Sequence, residues 1–129
     1  MMLAGYYLHC EPGGSFIAGG MWMPPAPELK KIRQEIDYCF EEFEGIVKNK
    51  QFVDKLGGLE RSAEMVLSRP PKGYDENNYA IEYLKLKSFI ASAAITDADL
   101  TSKTLVQKVV DACAAVQPLL YFINKALEG

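Results

Sequence analysis

The chain has 129 residues, is 49% hydrophobic and 24% charged, and carries a net charge of −3. That length suits one domain able to bury a core, and the composition excludes wholesale disorder. A pI of about 5.2 excludes bulk electrostatic attraction to nucleic acid or an anionic membrane.

The stretch GYYLHCEPGGSFIAGGMWM, from Gly5 to Met23, predicts a β-hairpin. Residues 5–11 and 15–23 form the strands and PGG the turn, because proline presets φ and glycine tolerates a positive one. Two registers stay open. A two-residue turn at Gly13-Gly14 places Tyr7 opposite Gly20, and a three-residue turn places Tyr6 there. Either way a tyrosine covers a glycine across the pair, an arrangement that suits sheets. The other reading of Gly19-Gly20 is a ligand approaching the backbone.

PPAP ends the hairpin, since proline cannot donate to a ladder. Glu28 opens a helix with Leu29, Ile32 and Ile36 at helical spacing. A second helix is expected over residues 41–56, with Phe43, Ile46 and Val47 inward and Gly57-Gly58 as its stop. Residues 62–68 read as a short strand and 79–86 as a short helix carrying Ile81, Tyr83 and Leu84. KSFIASAAI, residues 87–95, is the best late strand. An apolar stripe from Leu105 to Leu127 predicts a long terminal helix, capped by Thr101 or Ser102 and kinked at Pro118. Val109, Val110, Cys113 and Leu120 are expected to bury against the sheet. The order of elements predicts an α+β fold, an antiparallel sheet packed against helices, with residues 1–129 as a single domain.

The catalytic inventory is poor. The cysteines, Cys10, Cys39 and Cys113, are widely spaced, and His9 is the sole histidine. A zinc site wants about four ligands at short spacing, so no metal is expected and the thiols read as buried groups of a reducing cytosol. His9 and Cys10 are strand neighbours that point to opposite faces, so they cannot form a dyad. His9 and Glu11 share a face but lack a third ligand. No nucleophile elbow or phosphate loop is present, and no cofactor is implied. MMLAGYY lacks a signal-peptide pattern and no apolar run approaches a membrane span, which points to the cytoplasm.

SRPPKGYDENNYAIEYLKLK is the richer segment. It interleaves Arg69, Lys72, Lys85 and Lys87 with Tyr74, Tyr79 and Tyr83, and its prolines stiffen the loop. It is a candidate anion or partner site. Against that stands a solvated loop whose lysines pair with Asp75, Glu76 and Glu82.

AGYYLHCEPGGSFIAGGMWMPPAPELKKIRQEID and RPPKGYDENNYAIEYLKLKSFIAS, together with VQPLLYFINKAL, resemble an uncharacterised, mainly bacterial family catalogued as domain of unknown function 2461. The resemblance implies no agreed activity. It implies settings for His9, Glu11 and the RPPKG loop similar to those in other members. It further implies an N-terminal region ahead of the hairpin, so this chain is expected to be the C-terminal portion of a longer family fold. An unpaired sheet edge and an uncovered apolar face would follow.

Two functions are carried forward. The first is a non-enzymatic domain that binds a partner or self-associates, with a homodimer through the hairpin as its expected form. The second is an enzyme, or remnant of one, acting on a phosphate- or carboxylate-bearing small molecule through Arg69, Lys72, Tyr74, Lys85 and Lys87 with His9 and Glu11. Nucleic acid and membrane are not expected partners.

Overall fold

Pro12 and Gly13 make the turn on which the sheet is built. In the computed structural model, which describes residues 4–128, the Gly14 N–H donates to the Glu11 carbonyl at 3.1 Å and Gly13 has φ 75°. A proline followed by a glycine at positive φ is the pattern of a type II turn. It joins β1 (Gly5–His9) to β2 (Ser15–Met21). The turn sits earlier than either expected register allowed, so Tyr6 pairs with Gly19, Tyr7 with Ala18 and Gly5 with Gly20. The tyrosine-over-glycine pairing therefore holds for Tyr6 alone. Packing accounts for both glycines. A Cβ on Gly19 would lie 2.6 Å from Val116 Cγ1 of the terminal helix. Gly20 has φ 130°, and a Cβ there would run into the carbonyl of Phe89.

Strand β3 (Phe89–Ile95) completes a three-stranded antiparallel sheet of order β1-β2-β3. Helix α1 (Ala26–Tyr38) starts two residues ahead of the expected Glu28, with Pro27 in its first turn, where a missing N–H leaves no bond unmade. The single helix expected over 41–56 is two, α2 (Phe40–Val47) and α3 (Lys50–Leu56). Asn49 causes the break, because its side chain accepts from the Gln51 N–H at 3.0 Å and caps a new helix. The strand expected over 62–68 does not form. A 3₁₀ turn (Ala63–Met65) takes its place, and Val66 makes only an isolated bridge to Leu86. The chain just ahead of this turn covers part of the outer edge of β3, where the Glu60 N–H donates to the Ile90 carbonyl at 2.8 Å. Two short helices follow, α4 (Ile81–Leu84) and α5 (Asp97–Leu100), the latter held by a capping box between Thr96 and Asp99.

Helix α6 (Leu105–Glu128) lies over the sheet face that carries Ile17, Gly19 and Met21. It contains Pro118, which is exposed. By length and composition α6 could cross a membrane, but its buried stripe packs on β2 and on α1, α2 and α3. Its buried residues include Ala112, Ala115, Val116, Leu119, Leu120, Phe122 and Ile123. Leu120 is thus buried as expected, whereas Val109 and Cys113 are half-buried and Val110 is 51% exposed. The first turns of α6 meet only a small cluster of Ile17, Ile95 and Ala112, so less of their surface finds cover.

Candidate functional site

Helix α6 packs on one face of the sheet, and the opposite face holds an open groove of about 620 Å³. The strand alternation puts Tyr7 and His9 of β1, Phe16 and Ala18 of β2, and Ile90, Ser92 and Ala94 of β3 along it. Trp22, just past β2, forms one wall. Tyr7, Phe16 and Trp22 are 44%, 38% and 54% exposed. Large apolar groups left this open on one contiguous surface mark an interaction site more often than scattered ones do.

His9 stands at the tip of this groove. Its ring stacks on Phe16 with centroids 5.2 Å apart, and its Nε2 lies 3.1 Å from Glu11 Oε1. Both side chains are about half exposed. Ser15 is already engaged, since its hydroxyl donates to the Glu11 carbonyl and accepts from the Glu11 N–H, both at 2.9 Å. The Gly13 N–H donates to Asp97 Oδ1 at 2.8 Å and ties the hairpin tip to α5. The histidine therefore meets an aromatic ring and a carboxylate. Among the described residues no group of three or more His, Cys, Asp or Glu side chains is placed to hold a metal.

The basic loop residues do not converge on His9. Lys85 is paired with Glu76 at 2.9 Å, and Lys87 is half-buried with its N–H donating to the Met65 carbonyl. Arg69 is exposed and lines neither the sheet groove nor the second groove described next. Lys72 and Tyr74 do come together. The Tyr74 N–H donates to the Pro71 carbonyl at 3.1 Å across a turn in which Gly73 has φ 94°. That turn presents Lys72 to a groove of about 590 Å³ against α1.

Helix α1 supplies the other wall of the second groove with Leu29, Lys30, Arg33 and Gln34. Arg33 reaches past its own helix, where Nε donates to the Leu84 carbonyl at 2.8 Å and Nη2 to the Leu86 carbonyl at 3.1 Å. Burial pulls its guanidinium below the ordinary arginine value, an effect partly offset by Tyr74. Burial in turn pushes the Tyr74 phenol up, with Asp37 adding to the rise and Arg33 opposing it. Asp37 itself accepts from Asn78 Nδ2 at 3.0 Å.

A family model described as "Conserved hypothetical protein (DUF2461)" matches residues 1–122. The chain belongs to this family. No curated protein and no solved structure matches it. For this DUF2461 chain, Lys72 and Tyr74 are the expected site residues that line the second groove, and the groove-lining residues not singled out from the sequence include Lys30, Arg33 and Trp22. The first two had a legible signal: Lys30, Arg33 and Gln34 stand at i, i+3 and i+4, one face of a helix.

Proposed function

We propose that this DUF2461 protein is a non-enzymatic association domain, and that its open sheet face packs on that of a second copy across a two-fold axis. The observation that carries this reading is the exposed Tyr7, Phe16 and Trp22 around a groove on the sheet face that no described helix covers. The hairpin supplies most of these groups, as a hairpin-mediated homodimer requires. His9 adds support, since the sole histidine of the chain faces a ring and a carboxylate instead of a free nucleophile. The three thiols are free and, contrary to expectation, not buried, with Cys10 exposed and Cys39 and Cys113 half-buried; free thiols fit a reducing, cytoplasmic setting.

The size of the face sets the strength of the dimer. Two strands of seven residues and one of five, three strands wide, give a footprint of at most about 24 by 14 Å, or roughly 340 Å² per copy. Burying it in both copies, at about 25 cal/mol per Å², yields a gross gain near 17 kcal/mol before association costs of comparable size. A standard interface buries about 800 Å² per partner. The expected dimer is therefore weak, dissociating around micromolar concentration.

Trp22 is the only tryptophan and stands on the groove wall, so it reports directly. On raising the protein from about 0.1 to 100 μM, the expected result is a blue shift of its emission and loss of acrylamide quenching. Sedimentation equilibrium should show the species doubling from 14.4 kDa over the same range. A 14.4 kDa monomer throughout, with unchanged emission, rejects the proposal.

A further inference from the structure

The groove between α1 and the loop at Pro71 lies away from the sheet face and has a different chemistry. Three cations line it, Lys30, Arg33 and Lys72, and none of its lining groups is a carboxylate. Asp37, the nearest acid to act on Tyr74, is held by Asn78. Arg33 makes no ion pair among the described residues. Its bonds to the Leu84 and Leu86 carbonyls use Nε and one N–H of Nη2, which leaves the rest of the fork unengaged among the described residues. A guanidinium so anchored keeps its orientation before any ligand arrives, so binding would order little more of it. Ala26, the first residue of α1, also borders the groove, so the positive end of the helix adds to the same sign.

We propose that this groove is a binding site for a phosphate monoester, with Arg33 as the fixed fork and Lys30 and Lys72 as the closing charges. Three positive groups without a lining carboxylate suit a dianion better than the single charge of a carboxylate. A phosphate also presents the geometry that a guanidinium fork reads in pairs. Leu29, Pro71 and the ring of Tyr74 give the wall that would take the organic part of the ligand. The site shares no lining residue with the sheet groove, so it stands or falls separately from self-association.

The test is a thermal melt of the full chain with phenyl phosphate, inorganic phosphate, benzoate or chloride at matched ionic strength. Phenyl phosphate at about ten times its Kd should raise Tm by roughly 3–5 °C, since a ligand that binds only the folded state stabilises it. Inorganic phosphate should give a smaller rise at the same concentration, and benzoate no more than chloride. Lys30 and Lys72 are exposed, so the double variant Lys30→Ala/Lys72→Ala should keep its melt in chloride yet bind phenyl phosphate at least ten-fold more weakly. Arg69→Ala should bind like the parent. In the parent protein, the amide resonances of Gly73 and Tyr74 should shift saturably, a readout that requires no variant. A rise no greater than that in chloride, an equal rise with benzoate, a rise that survives the double variant, or saturable shifts that avoid Gly73 and Tyr74 would each overturn the assignment.

Discussion

The two faces of the sheet are built from the same strands on opposite plans. On the inner face, Ile17 and Met21 flank a glycine that lets α6 come close, and Phe89, Ala91 and Ile95 continue the surface. Small residues there admit a helix and large ones seal its sides. On the outer face the large residues, Tyr7, Phe16 and Trp22, stand around the groove with half their surface open. Along β2 and β3 the inner face owes its stability to fit within one chain, whereas Tyr6 and Leu8 at its β1 edge stay 48% and 58% exposed. The outer face is apolar without such a fit, and the proposed self-association rests on that difference.

The sharpest test of this contrast places the same charge on each face. Val116→Asp puts an unpaired carboxylate into a site that is 1% exposed, and should cost about 3–5 kcal/mol and abolish the cooperative melt followed by circular dichroism. Phe16→Asp on the outer face should leave the fold intact, with a cost below about 1 kcal/mol, while removing the concentration-dependent shift of Trp22. If both variants melt alike, the faces do not differ as described. Between these extremes lies Gly20→Ala. Its φ of 130° and the clash with the Phe89 carbonyl should lower stability by about 2–4 kcal/mol in urea titrations.

The smallest effect concerns the end of the sheet. Asp99 is held down to about 2, first by its hydrogen bond from Lys108, then by the N–H and hydroxyl of Thr96. Its folded value is below the ordinary aspartate value of 3.8, so the folded chain binds fewer protons here than the unfolded one. The stabilisation is present above that ordinary value and is lost as pH falls towards about 2. Tm should therefore decline from pH 4 to pH 2 with a component that is absent in Asp99→Asn. An unchanged decline in that variant would show that other carboxylates account for it.

Much of the sheet side was legible in the sequence. The PGG turn and the alternation in SFIAGGM fix a hairpin, and KSFIASAAI gives its later partner, because strand periodicity and turn chemistry are local. The register escaped, since Pro12-Gly13 and Gly13-Gly14 both make acceptable turns and the choice rests on Ser15 and Glu11 bonding each other. The phase of α6 was half legible. Hydrophobicity favoured Val109 and Val110, yet the helix meets the sheet through Ala112, Ala115 and Val116. Small side chains score low on any scale and are nonetheless what a close approach to Gly19 requires. The second groove was least legible, because Arg33 and Lys72 belong to segments that meet only through the tertiary fold.

The sheet also fixes an order of events. The hairpin closes through the two residues Pro12 and Gly13, whereas β2 finds β3 only when Met21 meets Phe89. Loop-closure entropy grows as the logarithm of length, so the second pairing costs roughly 3 kcal/mol more than closing a short turn. On a ribosome the hairpin emerges before β3, and β2 must wait with an open edge through the synthesis of α1, α2, α3 and α4. During that interval the hairpin lacks its supporting helix, since α6, which packs on β2, follows β3 in the chain. Nascent chains on neighbouring ribosomes could pair through these waiting edges, making the crowding of chains during synthesis a determinant of yield.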